Sequence, residues 1–189
     1  MKKLIIIIAA ILVIAGGLVS SYNGLVSMHE QVNSSWAQVD TQLQRRADLI
    51  PNLVNTVKGY ASHEQEAVKA VADARSKLLN ASTPTDKISA NGELSNALGR
   101  LLMVAENYPD LKASQNFLAL QDELAGTENR ISVARRDYNN QVQKYNAKIH
   151  SFPVSLYAGA FGFTDAPISK QTKEPKQLPK YSFSQLVSR

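Results

Sequence analysis

The amino-acid sequence predicts an all-α protein, an elongated antiparallel up-and-down helical bundle behind an N-terminal transmembrane helix. Three observations predict this fold class. An uncharged apolar run begins at the fourth residue, apolar residues recur at helical spacing through most of the remainder, and no stretch alternates as a strand would. We expect three long helices, the first broken near Pro51 to give four, because proline removes a helical hydrogen bond.

The apolar run predicts a membrane anchor over residues 4–22. Its first sixteen residues, 4–19, contain no charged, amide or hydroxyl side chain. The nineteen residues of 4–22 would form a helix about 28 Å long, which is close to a hydrocarbon core of roughly 30 Å. The anchor positions that we single out are Leu4, Ile8, Leu12, Val19 and Tyr22.

The flanking charges predict the orientation of this anchor. Lys2 and Lys3 precede the run, and no Lys or Arg follows it until Arg45. Because positive charge stays in the cytoplasm, we expect residues 1–3 on the cytoplasmic side of the cell (inner) membrane and the bundle outside the cytoplasm. A secretory signal has a similar pattern but usually a shorter apolar run, so cleavage near Ser21 to give a secreted soluble bundle remains the alternative.

The distribution of charge argues against nucleic acid as a partner. The net charge is +5, yet residues 22–164 hold fourteen Lys and Arg against fourteen Asp and Glu. The excess lies at the two ends of the chain, which is a poor electrostatic footprint for DNA or RNA. We expect residues 165–189, rich in Lys, Pro, Gln and Ser, to form a flexible basic tail.

Three amphipathic stripes define the predicted bundle, residues 23–152. They run from Leu25 to Leu78, from Leu94 to Tyr108, and from Phe117 to Phe152. The last stripe would form a helix about 60 Å long, too long for a compact globule. The connections are short, which makes neighbouring helices antiparallel.

Polar residues on the stripes predict a structural polar network between the first and last helices. An antiparallel return of the last helix pairs positions whose numbers add to about 177, which places Arg46 within a turn of Glu128. A buried unpaired charge is costly, so such residues need partners. We expect the network to fix helix register, with a ligand or partner contact near Pro51 as the alternative. Its predicted members are Arg45, Arg46, Asp48, Glu128 and Arg130.

The apolar segment after the last stripe, residues 153–164 with Phe152 before them, has two interpretations. The return of the last helix places it near the bilayer, where aromatic and small residues suit an interfacial segment. Alternatively, it folds back and caps the end of the bundle. The residues in question are Phe152, Tyr157, Phe161 and Phe163.

Several segments together resemble the LemA family, in the family's order over about residues 20–164. They are residues 22–26 (YNGLV), 36–43 (WAQVDTQL), 45–61 (RRADLIPNLVNTVKGYA), 63–64 (HE), 105–113 (AENYPDLKA), 127–131 (TENRI), 138–139 (YN), 145–146 (YN), 152–153 (FP) and 161–163 (FGF). The resemblance implies one N-terminal membrane helix and an all-α bundle. It implies no reaction, because the family has no established general biochemical activity.

No motif in the sequence predicts catalysis. His29, His63 and His150 are far apart, metal-ligand spacing and phosphate-binding loops are missing, and the absence of Cys excludes thiolate chemistry. We therefore expect no enzymatic activity, no cofactor and no bound metal. The expected role is interaction, scaffolding or envelope organisation with an unidentified protein partner, and a homo-oligomer is compatible with it. The alternative is membrane remodelling by direct binding to the bilayer.

Overall fold

The computed structural model describes residues 2–61 and 63–169, and it contains helices but no strands over this part of the chain. The helices are α1 (Lys2–Tyr60), α2 (Gln65–Asn80), α3 (Pro84–Ala105), α4 (Pro109–Ala113) and α5 (Gln115–Ile149), followed by two 3-10 turns, Val154–Leu156 and Gly159–Phe161. The predicted all-α bundle is confirmed. Residues 170–189, which form most of the predicted tail (165–189), lie outside the described residues.

Helix α1 carries both the predicted anchor and the first stripe of the bundle core. Its 59 residues give a length of about 88 Å. Residues 4–19 are exposed along their whole length, whereas Leu25 is completely buried and starts the core. The apolar run and the first core stripe therefore belong to one continuous helix.

The predicted break near Pro51 lies elsewhere, because α1 continues through this residue and ends at Tyr60. Proline has no N–H, so the carbonyl of Ala47, four residues earlier, lacks its helical donor. The Nε of Arg75, on α2, donates a hydrogen bond of 2.7 Å to that carbonyl. Pro51 itself is exposed, so its ring does not disturb the core. The first reversal of the chain comes after Tyr60, between α1 and α2.

Helices α2 and α3 form a hairpin against the far part of α1. The contact between Arg75 and Ala47 shows that α2 runs back along α1. The Oγ1 of Thr83 caps α3 by accepting a hydrogen bond from the N–H of Asp86 at 3.1 Å, and Pro84 occupies the first turn. The connection between α2 and α3 therefore comprises residues 81–83. The short helix α4 was not predicted.

These connections give the bundle two unequal halves. In the distal half, residues 40–60 of α1 pack with α2, α3, the short α4 and the first part of α5. In the proximal half, which adjoins the apolar run, residues 25–39 of α1 pack against residues 134–149 of α5. Two helices bury little surface alone, so the proximal half needs large side chains and further cover.

Aromatic side chains fill the proximal half. Tyr138 and Tyr145 are fully buried, and their rings lie 5.3 Å from Trp36 and 5.5 Å from His29 respectively. Each pair of positions adds to 174 instead of the predicted 177, a shift of less than one helical turn. Phe152 does not continue the core stripe as predicted, because α5 ends at Ile149.

An extended segment, residues 165–169, covers α5 in the proximal half; we call it the strap. The side-chain amide of Asn146 pairs with both backbone groups of Ala166, each at 2.9 Å. Asn139 pairs in the same way with Ser169, also at 2.9 Å. Seven helical positions span about 10.5 Å, close to the roughly 10 Å of three extended residues. The spacing of the two asparagines therefore matches the strap.

Candidate functional site

The buried polar centre of the bundle lies at Arg46, which is only 5% exposed. Its Nη1 donates hydrogen bonds to Asn91 Oδ1 at 2.8 Å and to Ser95 Oγ at 3.0 Å, both on α3. The same nitrogen lies 2.5 Å from Glu128 Oε2 on α5. Arg46 thus connects three helices at the level where the proximal half meets the distal half.

Burial governs the electrostatics of this centre. Removal from water lowers the pKa of Arg46, and the Glu128 carboxylate opposes that shift. An arginine still carries its charge at neutral pH. The Nε of Arg46 is buried without a hydrogen-bond partner among the described residues. The arrangement can hold helices in register, since any slip would leave a charge unpaired.

The other predicted network residues fall into two groups. Arg45 and Arg130 both contact Glu123 Oε1, at 2.8 Å each, on the exposed surface beside the centre. Asp48 is not brought to them: its contact in the described structure is a hydrogen bond of 2.9 Å from Gln44, one turn earlier on α1. Asp48 is exposed because it lies off the buried stripe of α1.

Sequence reasoning missed three residues of this site. Asn91 and Ser95 accept hydrogen bonds from Arg46, and Glu123 joins the two surface arginines. A signal for the first two was present, because they are four residues apart and flank Leu94 on the apolar stripe of α3. Glu123 is one acidic residue among several on an exposed face, and nothing in its spacing distinguishes it.

A second candidate site lies where the apolar run of α1 enters the bundle. The segment after α5, residues 151–164, returns to α1 here; we call it the collar. Tyr157 donates a hydrogen bond of 2.5 Å to Ser21 Oγ. The ring of Tyr22 lies 5.4 Å from that of Phe161 and 5.7 Å from that of Phe163, in edge-to-face geometry. The collar therefore packs on α1 at the predicted boundary of the anchor.

The collar packs back on the end of the bundle, as one of the two interpretations of the sequence expected, and it also leaves large apolar side chains exposed. Val154 and Ala158 are buried and close the end of the bundle. Phe152, Leu156 and Phe161 remain 81%, 75% and 60% exposed. Gly162 permits the turn between Phe161 and Phe163, since its φ of +82° is a region that L side chains rarely adopt.

The histidines do not assemble into a site. His150 Nε2 lies 2.9 Å from Asp165 Oδ1 at the start of the strap, and the ring of His29 packs beside that of Tyr145 at an angle of 57°. Over residues 2–61 and 63–169, no three His, Asp or Glu side chains are placed to hold a metal ion. The geometry at the sites is that of helix packing and surface presentation.

The fold and these sites define a class: a helical bundle carried on one N-terminal helix that is long and apolar enough to cross a membrane, with none of that stretch buried in the protein. The sequence profile of the LemA family matches residues 35–183. The chain therefore belongs to the LemA family, as its sequence motifs predicted, and it is a membrane-associated protein of the LemA type.

Several named relatives are about a quarter identical to the chain over the aligned positions. Magnetosome protein MamQ 2 of Paramagnetospirillum magneticum is 25% identical over 189 aligned positions, which cover 86% of this chain and 70% of the relative. Magnetosome protein MamQ of Magnetospirillum gryphiswaldense is 25% identical, covering 77% and 63%. Protein LemA of Metamycoplasma hominis is 26% identical, covering 72% and 63%.

Proposed function

We propose that this protein is a single-span membrane scaffold, which holds a rigid helical rod outside the cytoplasm so that other proteins dock on it. Residues 1–3 lie in the cytoplasm, the span crosses the inner membrane, and the bundle stands on the far side. The observation that carries the proposal is the continuity of α1, which runs from the exposed apolar stretch into the bundle core as one helix.

A continuous helix gives the scaffold a fixed geometry. Beyond Tyr22, α1 extends for 38 residues, or about 57 Å. A flexible linker would let the body take any height and tilt, whereas a helix holds each exposed face at a set distance from the bilayer. The surface mixes both signs of charge, with exposed ion pairs such as Lys77 with Glu93 at 2.6 Å. Such faces suit protein partners, including a second copy of the chain.

The proposal assigns no catalytic residue, cofactor or metal to the chain. The relatives named for magnetosomes support an organising role in an envelope or organelle. A second candidate function, remodelling of the bilayer, is favoured by one observation: large apolar side chains of the collar are exposed beside the predicted span.

Labelling in intact cells tests the topology. Because the chain has no cysteine, single substitutions give clean reporters. We expect a membrane-impermeant maleimide to label Lys58→Cys on α1 in intact cells, and to label Lys3→Cys only after permeabilisation. The reverse order would overturn the orientation. A soluble protein whose N-terminus begins near Ser21 would overturn the anchor and establish the secreted form.

Crosslinking in native membranes tests the scaffold role. A photo-crosslinker at exposed Met103 on α3 and another at exposed Val133 on α5 sample two faces of the rod. We expect at least one face to give a reproducible adduct with a single partner or with a second copy, and the adduct to be lost when the crosslinker is moved to the opposite face. Random adducts from both positions would contradict the scaffold role.

A further inference from the structure

We propose that the collar is a second membrane-binding surface, which lies in the lipid headgroup region and fixes the depth and tilt of the bundle. This inference rests on the proposed membrane anchoring and deepens it. The collar surface binds the bilayer itself, through apolar contact and not through lipid charge. The surface consists of residues 151–164 together with the part of α1 around Tyr22.

The two chain segments at the proximal end of the bundle lack Lys, Arg, Asp and Glu, which supports this assignment. Residues 151–164 contain no Lys, Arg, Asp or Glu, and neither do residues 4–29 of α1. The first charged residues are Glu30 on α1, Lys148 near the end of α5 and Asp165 after the collar. A bundle end that faced water would normally carry charges, whereas charged side chains are expensive near hydrocarbon.

The collar also exposes three of its large apolar side chains. It buries Val154 and Ala158, which are small, and leaves Phe152, Leu156 and Phe161 mostly exposed. A segment that only capped the bundle would bury the large side chains, because burial stabilises by roughly 25 cal/mol per Å² of apolar surface. The clustering of these exposed side chains favours another apolar phase next to the collar.

The height of the collar identifies that phase. A hydrocarbon core of about 30 Å requires about 20 helical residues. Counted from Lys3, the core ends near Tyr22, and the collar is attached at this level. Tyr157 is hydrogen-bonded to Ser21, and both Phe161 and Phe163 pack on the ring of Tyr22. The exposed collar residues therefore lie at the membrane surface whenever α1 spans the membrane.

Fluorescence quenching by lipid tests the inference in the full-length protein. In a Trp36→Phe background, Phe152→Trp or Phe161→Trp places the one tryptophan in the collar. The probe is phosphatidylcholine vesicles whose acyl chains are brominated at carbons 6 and 7. We expect blue-shifted emission and at least two-fold quenching at both positions, unchanged at high salt because the collar has no cation to pair with lipid phosphate.

Two controls separate the collar from the anchor. Met103→Trp, at a position about as exposed as Phe161 but on α3, should show no quenching. Ile8→Trp, inside the span, should be quenched most. If Ile8→Trp is quenched and neither collar position is, the collar inference is wrong and the anchoring stands. If Ile8→Trp is not quenched either, the anchoring itself fails.

A second copy of the chain is the competing occupant of the collar. Leu156→Cys in the same vesicles distinguishes it, since a copy that covered the collar would allow a disulfide between the two Leu156→Cys positions. Unquenched collar tryptophans together with that disulfide would overturn the lipid assignment. Circular dichroism and the melting temperature of every variant should match those of the parent protein, so that a misfolded collar is not counted as an unbound one.

Discussion

The proximal and distal halves of the bundle are stabilised in different ways. The distal half has four long helices, the short α4 and a charged centre at Arg46, which contacts α3 and α5. The proximal half has two helices, a core of buried tyrosines and a strap held by asparagine side chains. The number of helices available at each level accounts for this difference.

The difference shows how a long helix can remain ordered where few partners are present. A pair of helices cannot bury as much surface per residue as four helices do. Large aromatic side chains compensate, because each typically buries roughly 150–250 Å² of surface. The strap adds hydrogen bonds from α5 to an extended chain. The proximal half thus reaches the membrane without additional helices.

The largest effect is expected from truncating Tyr145 in the proximal half. Tyr145→Ala should destabilise the protein by about 4 kcal/mol, because a fully buried aromatic ring leaves a cavity. Hydrogen exchange should show residues 134–149 opening while α2 and α3 stay protected. Tyr145→Phe is the control and should change stability little, since the buried hydroxyl has no hydrogen-bond partner among the described residues.

The centre of the distal half gives the next largest effect. Arg46→Ala should destabilise by about 3 kcal/mol, because the Asn91 amide and the Glu128 carboxylate both lose their partner. Urea denaturation measures the change. Arg45→Ala, which removes only an exposed ion pair with Glu123, should cost less than about 1 kcal/mol. An unchanged stability of Arg46→Ala would refute a structural role for the network.

Arg75→Ala should destabilise the protein by about 1–2 kcal/mol. The reason is that the buried Ala47 carbonyl on α1 would lose its donor. A double-mutant cycle with Pro51→Ala isolates the reason. Alanine at position 51 restores the N–H that bonds Ala47, so Arg75→Ala should cost less in that background. Equal costs in both backgrounds would show that Arg75 acts through other contacts.

The strap should give a smaller effect. Asn146→Ala removes two hydrogen bonds to Ala166 and should destabilise by roughly 1 kcal/mol. Limited proteolysis should then cut residues 165–169 faster, while the distal half is unaffected. Asn140→Ala, on an adjacent face of α5, is the matched control and should leave both measurements unchanged.

The smallest effect concerns pH and again distinguishes the proximal half. Burial raises the pKa of Tyr138, whose hydroxyl donates to Pro167 O at 2.8 Å. The folded state therefore keeps the proton more tightly than the unfolded chain does. This contribution is complete below about pH 10, the ordinary tyrosine pKa, and is lost as pH rises through the folded value. Tyr138→Phe should flatten the fall in stability above about pH 10.

The sequence predicts the regular part of the fold well and its exceptions poorly. Apolar spacing identifies the buried stripes, and the antiparallel return brings Arg46 to Glu128, because both follow from helical geometry. The break expected near Pro51 is absent from α1. The donor that Pro51 cannot supply to the Ala47 carbonyl comes from Arg75, 24 positions after Pro51 in the chain. Only the tertiary structure shows which donor reaches a given carbonyl.

The same limit explains the other differences. The pairing of Asn139 and Asn146 with the strap depends on where an extended chain lies, and their spacing has no meaning until that course is known. Asp48 carries a charge suited to the network but lies on the exposed face of α1. The collar has an ambiguous sequence because it both packs and remains exposed, which the residues alone do not separate.

A distance measurement across the membrane boundary tests the central claim most directly. Spin labels at Ile6→Cys, inside the span, and Gln31→Cys, in the proximal half, lie on the same face of α1. With the full-length protein in lipid nanodiscs, 25 helical residues should give a narrow distribution centred near 38 Å, an estimate of about 1.5 Å per residue. A broad distribution, or one shifted well below that distance, would show a flexible joint and contradict a continuous helix from membrane to bundle.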